Sequence, residues 1–481
     1  MTSASREDDL AECVTTIRAM LTECGQEHLL AFADELTPDE LKQLIEQVES
    51  IDVPNAVRLV EKARTTSIEP PPSDQIRPAS FVSRVPDHAE SIRAAGQALI
   101  DEGKVAAFTV AGGQGTRLGW NGPKGTFPAT PLTGKPLFRV FAEQLAAHAR
   151  RSGHSIPWYI MTSPINDADT RAFFRDNNWF GLDRTDVFMF PQGVLPSFDE
   201  EGRFLLASKS EIAVNPDGHG GALRALRASG AVEDMRARGI EQISYFQVDN
   251  PTVQVLDPLF IGLHATNPES SGEMSSKMVR KRDAGEKVGV FCVTDDRTCV
   301  IEYSDLPGEL ADAVDEQGEL KFVAGSIAIH VLSVDFVDRV TSEGSGLAMP
   351  LHKASKKVPH VDLDSGQLIK PKTPNATKLE MFIFDAIPLA DRSMVYETDR
   401  VEEFAPIKNA EGEDSADSSH QLQYQRATRW IEGAGGRIPR TEDGQPSCHV
   451  EITASTALDE RDLAANTKLP KSFVAGQQYI L

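Results

Sequence analysis

The stretch Lys104–Lys135, KVAAFTVAGGQGTRLGWNGPKGTFPATPLTGK, constrains the fold more than any other part of the 481-residue chain. It opens on Val105-Ala106-Ala107-Phe108-Thr109-Val110, an apolar run long enough for a buried strand and too short for a helix core. Gly112, Gly113 and Gly115 follow at once, then Arg117, Gly119 and Lys124. Glycines directly after a strand let the backbone turn and leave its amides free to face an anion. Arg117 and Lys124 add positive charge at the same end of the strand. From Pro136 the segment LFRVFAEQLAAHARRSG carries Leu137, Phe138, Phe141 and Leu145 at helical spacing, with Gly153 as a stop. Strand, glycine loop, cationic loop and amphipathic helix predict the phosphate end of an open α/β sheet. No GK[ST] closes a P-loop, and a long Gly/Pro-rich excursion separates the glycines from the helix, unlike a dinucleotide fingerprint. By itself the segment indicates an anion or a nucleotide.

A chain of 481 residues can bury a large core and is expected to form two or three domains. It carries 49 basic and 72 acidic residues, a formal charge of −23. That excess disfavours nucleic acid and anionic membranes as partners, although a local cationic pocket can still bind phosphates. Five cysteines, Cys13, Cys24, Cys292, Cys299 and Cys448, lack metal-ligand spacing and fit structural thiols in a reducing compartment. The first residues, MTSASREDDLAEC, carry no secretory pattern, and no run reaches the roughly 18 apolar residues of a spanning helix. A cytoplasmic protein, monomeric or weakly self-associating, is the expectation.

The chain divides by pattern into a helical N-terminal region (1–95), an α/β domain (96–389) and a small C-terminal domain (390–481). Asp8–Leu21 carries apolar residues at helical spacing. Thr37-Pro38-Asp39-Glu40 offers an N-cap, a proline at the first helical position and a glutamate at the third. Thr65–Ser80, rich in Ser and Pro, reads as a linker, and a helical pattern resumes over Pro86–Leu99. Strand candidates then recur, each ending in small or polar residues: Pro157–Ser163, Val187–Phe190 before Pro191-Gln192-Gly193, and Ile243–Val248 before Asp249-Asn250. Ligands of open α/β sheets collect at such carboxyl ends. Gln192 is either a turn residue or an amide offering donor and acceptor to a base. Asn215–Gly221, NPDGHGG, is a second glycine cluster, leading into a helix whose first amides can face an anion. Asp249 is either an Asx turn or a carboxylate placed to hold Mg²⁺ together with phosphate oxygens and water. Lys281 and Arg282 read as solvated surface charge, as does much of the lysine-rich run over 351–380. Lys378 stands apart there, because the apolar stretch Met381–Ile387 follows it and sets it at the edge of a core.

AGGQGTRLG, followed by Gly122-Pro123-Lys124, resembles the signature of the UDP-sugar pyrophosphorylases, which join UTP to a sugar 1-phosphate. GGQGTRLG is most like the eukaryotic UDP-N-acetylglucosamine pyrophosphorylase branch; the UDP-glucose branch usually has leucine where Gln114 stands. The likeness runs from about residue 100 to residue 410. It implies a Rossmann-like, GT-A-like nucleotidyltransferase fold, α/β with a mixed sheet, helices on both faces, a helical N-terminal region and a small C-terminal α+β domain. It also implies that Gly112, Gly113 and Gly220 lie against the nucleotide, that Gln192 contacts the uracil and that Asp249 carries the metal. Glu302, in Glu302-Tyr303-Ser304, would hold a sugar hydroxyl. Ser326, in AGSIAIH, stands where that branch has an asparagine in AGNIANH, and Ile329 replaces its second asparagine. Lys378, in LIKPKTPNATKLE, matches a lysine that contacts phosphates, and Glu403–Asn409, EFAPIKN, matches a segment linked to the active site.

The expected reaction is reversible uridylyl transfer from UTP to a hexosamine 1-phosphate. Arg117 and Lys124 would clamp the triphosphate, Asp249 would hold Mg²⁺, and Lys378 would offset the incoming phosphate. His219 is not needed as a base, because the attacking phosphate oxygen is already ionised. Three alternatives stand beside this reading. They are the same chemistry on glucose 1-phosphate or a broad set of sugars, an NAD-type Rossmann oxidoreductase, and an inactive interaction protein on a transferase scaffold.

Overall fold

The computed structural model describes residues 3–65, 71–342, 349–466 and 469–481. Its contacts divide the chain into two compact units, one of Met1–Glu69, Gly193–Gly221 and Met349–Phe382, the other of Pro70–Gln192, Ala222–Ala348 and Ile383–Leu481.

The larger unit is built on a ten-stranded mixed sheet. In chain order its strands are β1 (Arg77–Pro78), β2 (Val105–Val110), β3 (Trp158–Thr162), β4 (Val187–Pro191) and β5 (Gln242–Gln247). They continue with β6 (Met274–Arg280), β7 (Val290–Thr294), β8 (Arg297–Ile301), β9 (Ala324–Ser333) and β10 (Val395–Glu397). The main path runs β1-β7-β9-β5-β2-β3-β4, with β8 on β7 and β6 joining β9 to β10. β5, β2, β3 and β4 are mutually parallel, whereas β9 is antiparallel to β5 and to β7. The predicted strand Val105–Val110 is therefore central, and its first five residues are buried. Parallel strands covered on both faces are apolar throughout. The one buried indole N–H of β3, on Trp158, donates to Thr109 Oγ1 at 2.8 Å.

Helices supply the cover. Leu137–Ser152 buries Leu137, Phe138, Phe141 and Leu145 and stops at Gly153, as its spacing predicts. Ala89–Asp101 packs on Pro258–Thr266 so closely that a Cβ on Gly262 would lie 1.9 Å from the Ile92 carbonyl oxygen. Asp257 caps the second of these helices by accepting from Leu259 N, with Pro258 at its first position. The linker reading of Thr65–Ser80 needs amendment. Residues 66–70 lie outside the described residues, and Arg77–Pro78 forms the edge strand β1, where a proline costs no ladder bond. Near the C-terminus, Ala416–Gly433 is a helix, and two parallel strands, His449–Glu451 and Gln478–Ile480, share a small core with it through Trp430, Ile431, Val450 and Phe473.

In the smaller unit the helices Ser3–Glu23, Pro38–Ile51 and Val53–Thr65 join four short antiparallel strand pairs. Thr37 and Glu40 form the predicted capping box. Gln47 extends the sheet chemistry into a helix: its amide donates to Ile212 O and accepts from Ile212 N, at 3.1 and 2.7 Å. Among the described residues no helix is long and apolar enough to cross a membrane.

Candidate active site

Topology selects one edge of the sheet. β2 has β3 on one side and β5 on the other, so the crevice beyond its carboxyl end is the switch point where open α/β sheets bind ligands. Val110 is in register with both Met161 and Gln247, and Thr162 with Pro191. Gly112, Ser163, Gln192 and Asp249 consequently all stand just past the same edge.

The glycine loop closes on itself there. Gly115 N donates to Gly122 O at 2.9 Å and Lys124 N to Gly113 O at 3.0 Å. This closure carries Lys124 back to the end of β2, and its Nζ lies 3.5 Å from Asp249 Oδ2. The two side chains are 17% and 13% exposed, shielded enough for their charges to act more strongly than a surface pair. Gly112 is required by close approach: a Cβ there would stand 2.4 Å from Gln192 Oε1. The buried Gln192 amide is thus laid directly against the loop backbone. Arg117 sits exposed in the turn Thr116–Leu118, with no ion pair among the described residues.

Two residues overlooked in the sequence complete this edge. Fully buried Asn166 donates through Nδ2 to Ala111 O and Gly113 O, at 3.0 and 3.3 Å, and accepts from Ser163 N at 2.7 Å. It locks the glycine loop to the end of β3; in the sequence it reads only as a helix start. Lys408 is the second. Ile407 N donates to Asp249 O at 2.8 Å, which sets Lys408 next to the strand end that bears the carboxylate. Its Nζ lies 5.5 Å from the Phe404 ring centroid and 3.7 Å from Asp414 Oδ2. The EFAPIKN match was the available signal. Asn250 anchors the same segment, donating to Glu403 O at 2.6 Å and accepting from Ala405 N at 3.1 Å.

Behind it lies a buried ion cluster. Lys277 is fully buried, 2.7 Å from Asp257 Oδ2, paired also with Glu403, and stands over the rings of Phe260 and Tyr396. Burial alone would pull its pKa down, but the two carboxylates hold it above the ordinary lysine value.

Glu302 and Ser326 meet around Gly289 at the same sheet edge. Ser326 N donates to Gly289 O at 2.8 Å, and a Cβ on Gly289 would lie 3.5 Å from Glu302 Oε1. The hairpin β7–β8 brings this about, since Val290 pairs with both Ile301 and Gly325. Ala328, at φ +53°, falls where the pairing of β9 with β6 shifts register, between Ser326 and His330. Lys281 departs from the surface reading: it is buried, and its Nζ donates to Ala284 O at 3.1 Å.

Gly220 and Lys378 belong to the smaller unit. Gly220 N donates to Met381 O at 2.8 Å. Lys378 lies in the strand Ala376–Glu380, opposite Ala354. Partial burial lowers its pKa, Glu380 opposes that shift and Lys356 adds to it. His219 stacks on Phe382, and burial, helped by His352, pushes its pKa down to about 4, so the ring is neutral at pH 7.

Among the described residues no group of three or more His, Cys, Asp or Glu side chains could hold a metal. A hard divalent cation at Asp249 would therefore draw its other oxygens from bound phosphate and water, a donor set that suits Mg²⁺.

The sequence profile of the UTP–glucose-1-phosphate uridylyltransferase family matches residues 55–425. The Saccharomyces cerevisiae UDP-N-acetylglucosamine pyrophosphorylase is 36% identical over 447 residues, covering 88% of this chain and 92% of that protein. The human UDP-N-acetylhexosamine pyrophosphorylase-like protein 1 is 37% identical over 442 residues, 88% of this chain and 86% of that one. The crystal structure of the Trypanosoma brucei uridine diphosphate N-acetylglucosamine pyrophosphorylase superposes with a TM-score of 0.81 over 98% of both chains, and at 24% identity it shows a shared fold. Profile, relatives and fold agree, and the chain belongs to the UTP–glucose-1-phosphate uridylyltransferase family.

Proposed function

We propose that this uridylyltransferase joins UTP to an N-acetylhexosamine 1-phosphate, N-acetylglucosamine 1-phosphate foremost, releasing pyrophosphate. The observation that carries the reading is the meeting of Gly112, Lys124 and Asp249 at the switch-point edge in a chain of this family. Relatives named for UDP-N-acetylglucosamine support the choice of sugar.

A phosphate oxygen of the sugar 1-phosphate attacks the α-phosphorus of UTP in line. The bond to the bridging oxygen breaks, and pyrophosphate leaves with the electron pair. No proton has to be removed from the attacking oxygen, so catalysis rests on positioning and on charge. The loop backbone around Gly112 and Gly113 receives the phosphates, the Gln192 amide pairs with the uracil, and Lys124, Arg117 and Lys408 offset charge on the triphosphate. Mg²⁺, when bound at Asp249, supplies further stabilisation of the phosphate oxygens. Glu302 and Ser326 hold the sugar, and Gly220 and Lys378 keep the nucleotide and phosphate roles that the resemblance implies. A cytoplasmic location completes the reading, the free cysteines among the described residues fitting a reducing compartment.

A second reading, glucose 1-phosphate or several sugars as acceptor, is favoured by Ser326 and Ile329 standing where the branch has two asparagines. One experiment decides. The protein is incubated with UTP, Mg²⁺ and a panel of sugar 1-phosphates, and pyrophosphate is measured. Release that is greatest with N-acetylglucosamine 1-phosphate is expected; preference for glucose 1-phosphate supports the second reading, and no release with any sugar defeats both.

A further inference from the structure

Lys277 is the one fully buried lysine in the larger unit's core among the described residues, and no step of the proposed chemistry uses it. Its partners are informative. Asp257 ends the segment that leaves Asp249, and it also caps the helix Pro258–Thr266. Glu403 begins the segment that returns to Asp249: its main-chain oxygen takes the Asn250 amide, and four residues later Ile407 N reaches Asp249 O. The Glu403 carboxylate is itself held by Thr398 Oγ1 at 2.7 Å and by Gln254 N at 3.2 Å. A single ammonium thus clamps both stretches of chain that flank the phosphate-side carboxylate. Buried ion clusters seldom stabilise a fold more than apolar side chains of the same shape would, so stability by itself gives little reason for this one.

We infer that Lys277 is a positioning residue, acting through Glu403 and Asp257 to fix Asp249 and Lys408 where the phosphates of the nucleotide bind. The inference rests on the uridylyl-transfer reading. It predicts a selective loss: the phosphate end of the site should loosen while the base end, built on β2, β3 and β4, keeps its geometry. Lys277→Met alone leaves two uncompensated buried carboxylates and is expected to be unstable, which by itself would prove nothing about position. The triple variant Lys277→Met/Asp257→Asn/Glu403→Gln removes all three charges while retaining shape, the helix cap and the amide hydrogen bonds. Glu403→Gln alone weakens one arm of the clamp.

The test measures binding of pyrophosphate and of uridine to the full chain, with turnover alongside. In the triple variant, thermal stability should return to near the wild-type value. Its pyrophosphate affinity should stay about tenfold weaker and kcat at least about thirtyfold lower, with uridine affinity within about twofold. Glu403→Gln should shift the same quantities in the same direction by a smaller factor. If the triple variant recovers stability, pyrophosphate affinity and turnover together, or if Glu403→Gln changes none of them, Lys277 serves the fold alone and the inference is overturned. Failure of the wild-type protein to bind pyrophosphate or uridine at all would instead sink the uridylyl-transfer reading beneath it.

Discussion

At the scale of the residue, the site depends on atoms that admit little substitution. Asp249→Asn keeps shape and backbone bonding while removing the charge that pairs with Lys124 at 3.5 Å. Folding should be unchanged by circular dichroism, and Mg²⁺-dependent pyrophosphate release should fall by at least about a hundredfold, as when a charge that acts in the transition state is lost. Unchanged release would remove Asp249 from the mechanism. Gly112→Ala tests the opposite face of the same edge. Its methyl would meet Gln192 Oε1 at 2.4 Å, so either the amide or the loop must move. KM for UTP should rise by roughly tenfold or more while KM for the sugar 1-phosphate stays near its value, since Ser326 stands on β9 and Glu302 just past β8, away from this loop. Equal changes in both constants would argue that the loop serves the fold as a whole.

Elements matter through how closely they approach. Gly262 lets the helices Ala89–Asp101 and Pro258–Thr266 touch backbone to backbone, with 1.9 Å between a would-be Cβ and the Ile92 oxygen. No flexible side chain can yield there. Gly262→Ala should therefore cost about 2–3 kcal/mol in denaturant unfolding, in the upper range for overpacking, although alanine is the better helix former. A neutral or stabilising result would mean that the helices separate freely. The capping box in the smaller unit is a milder case. Thr37→Ala removes the hydroxyl that pairs with Glu40 and should lower stability by about 1 kcal/mol, without an effect on turnover.

Across the whole molecule, three histidines contribute to the acid limb of stability. Burial pushes His148 and His264, both in the larger unit, and His219 in the smaller one down to about 4 from an ordinary value of 6.5. Each ring is neutral when folded and takes up a proton more readily when unfolded. The stabilisation is complete above pH 6.5 and is lost as pH falls toward 4, by on the order of 3 kcal/mol for each group. Thermal melts should show stability rising between pH 4 and pH 6.5 and levelling off above that range; a flat profile would mean that other groups govern the acid limb.

The amino-acid sequence by itself determined the elements and which residues stand at their ends. Val105–Val110 had to be a buried strand because it is apolar on both faces, and Leu137–Ser152 a helix because its apolar residues recur every three or four positions. The glycines at 112, 113 and 115 and the lone Asp249 were legible for the same local reason: each follows directly on a strand. What local pattern cannot encode is pairing at long range. Only the tertiary structure decided that Asn166 braces the glycine loop, that Lys281 is buried, and that Lys277, more than a hundred residues before Glu403, holds the segment reaching back to Asp249. It also decided that three separate stretches of chain make up the smaller unit. Such contacts depend on burial and on strand order, and both arise only when distant segments exclude water together.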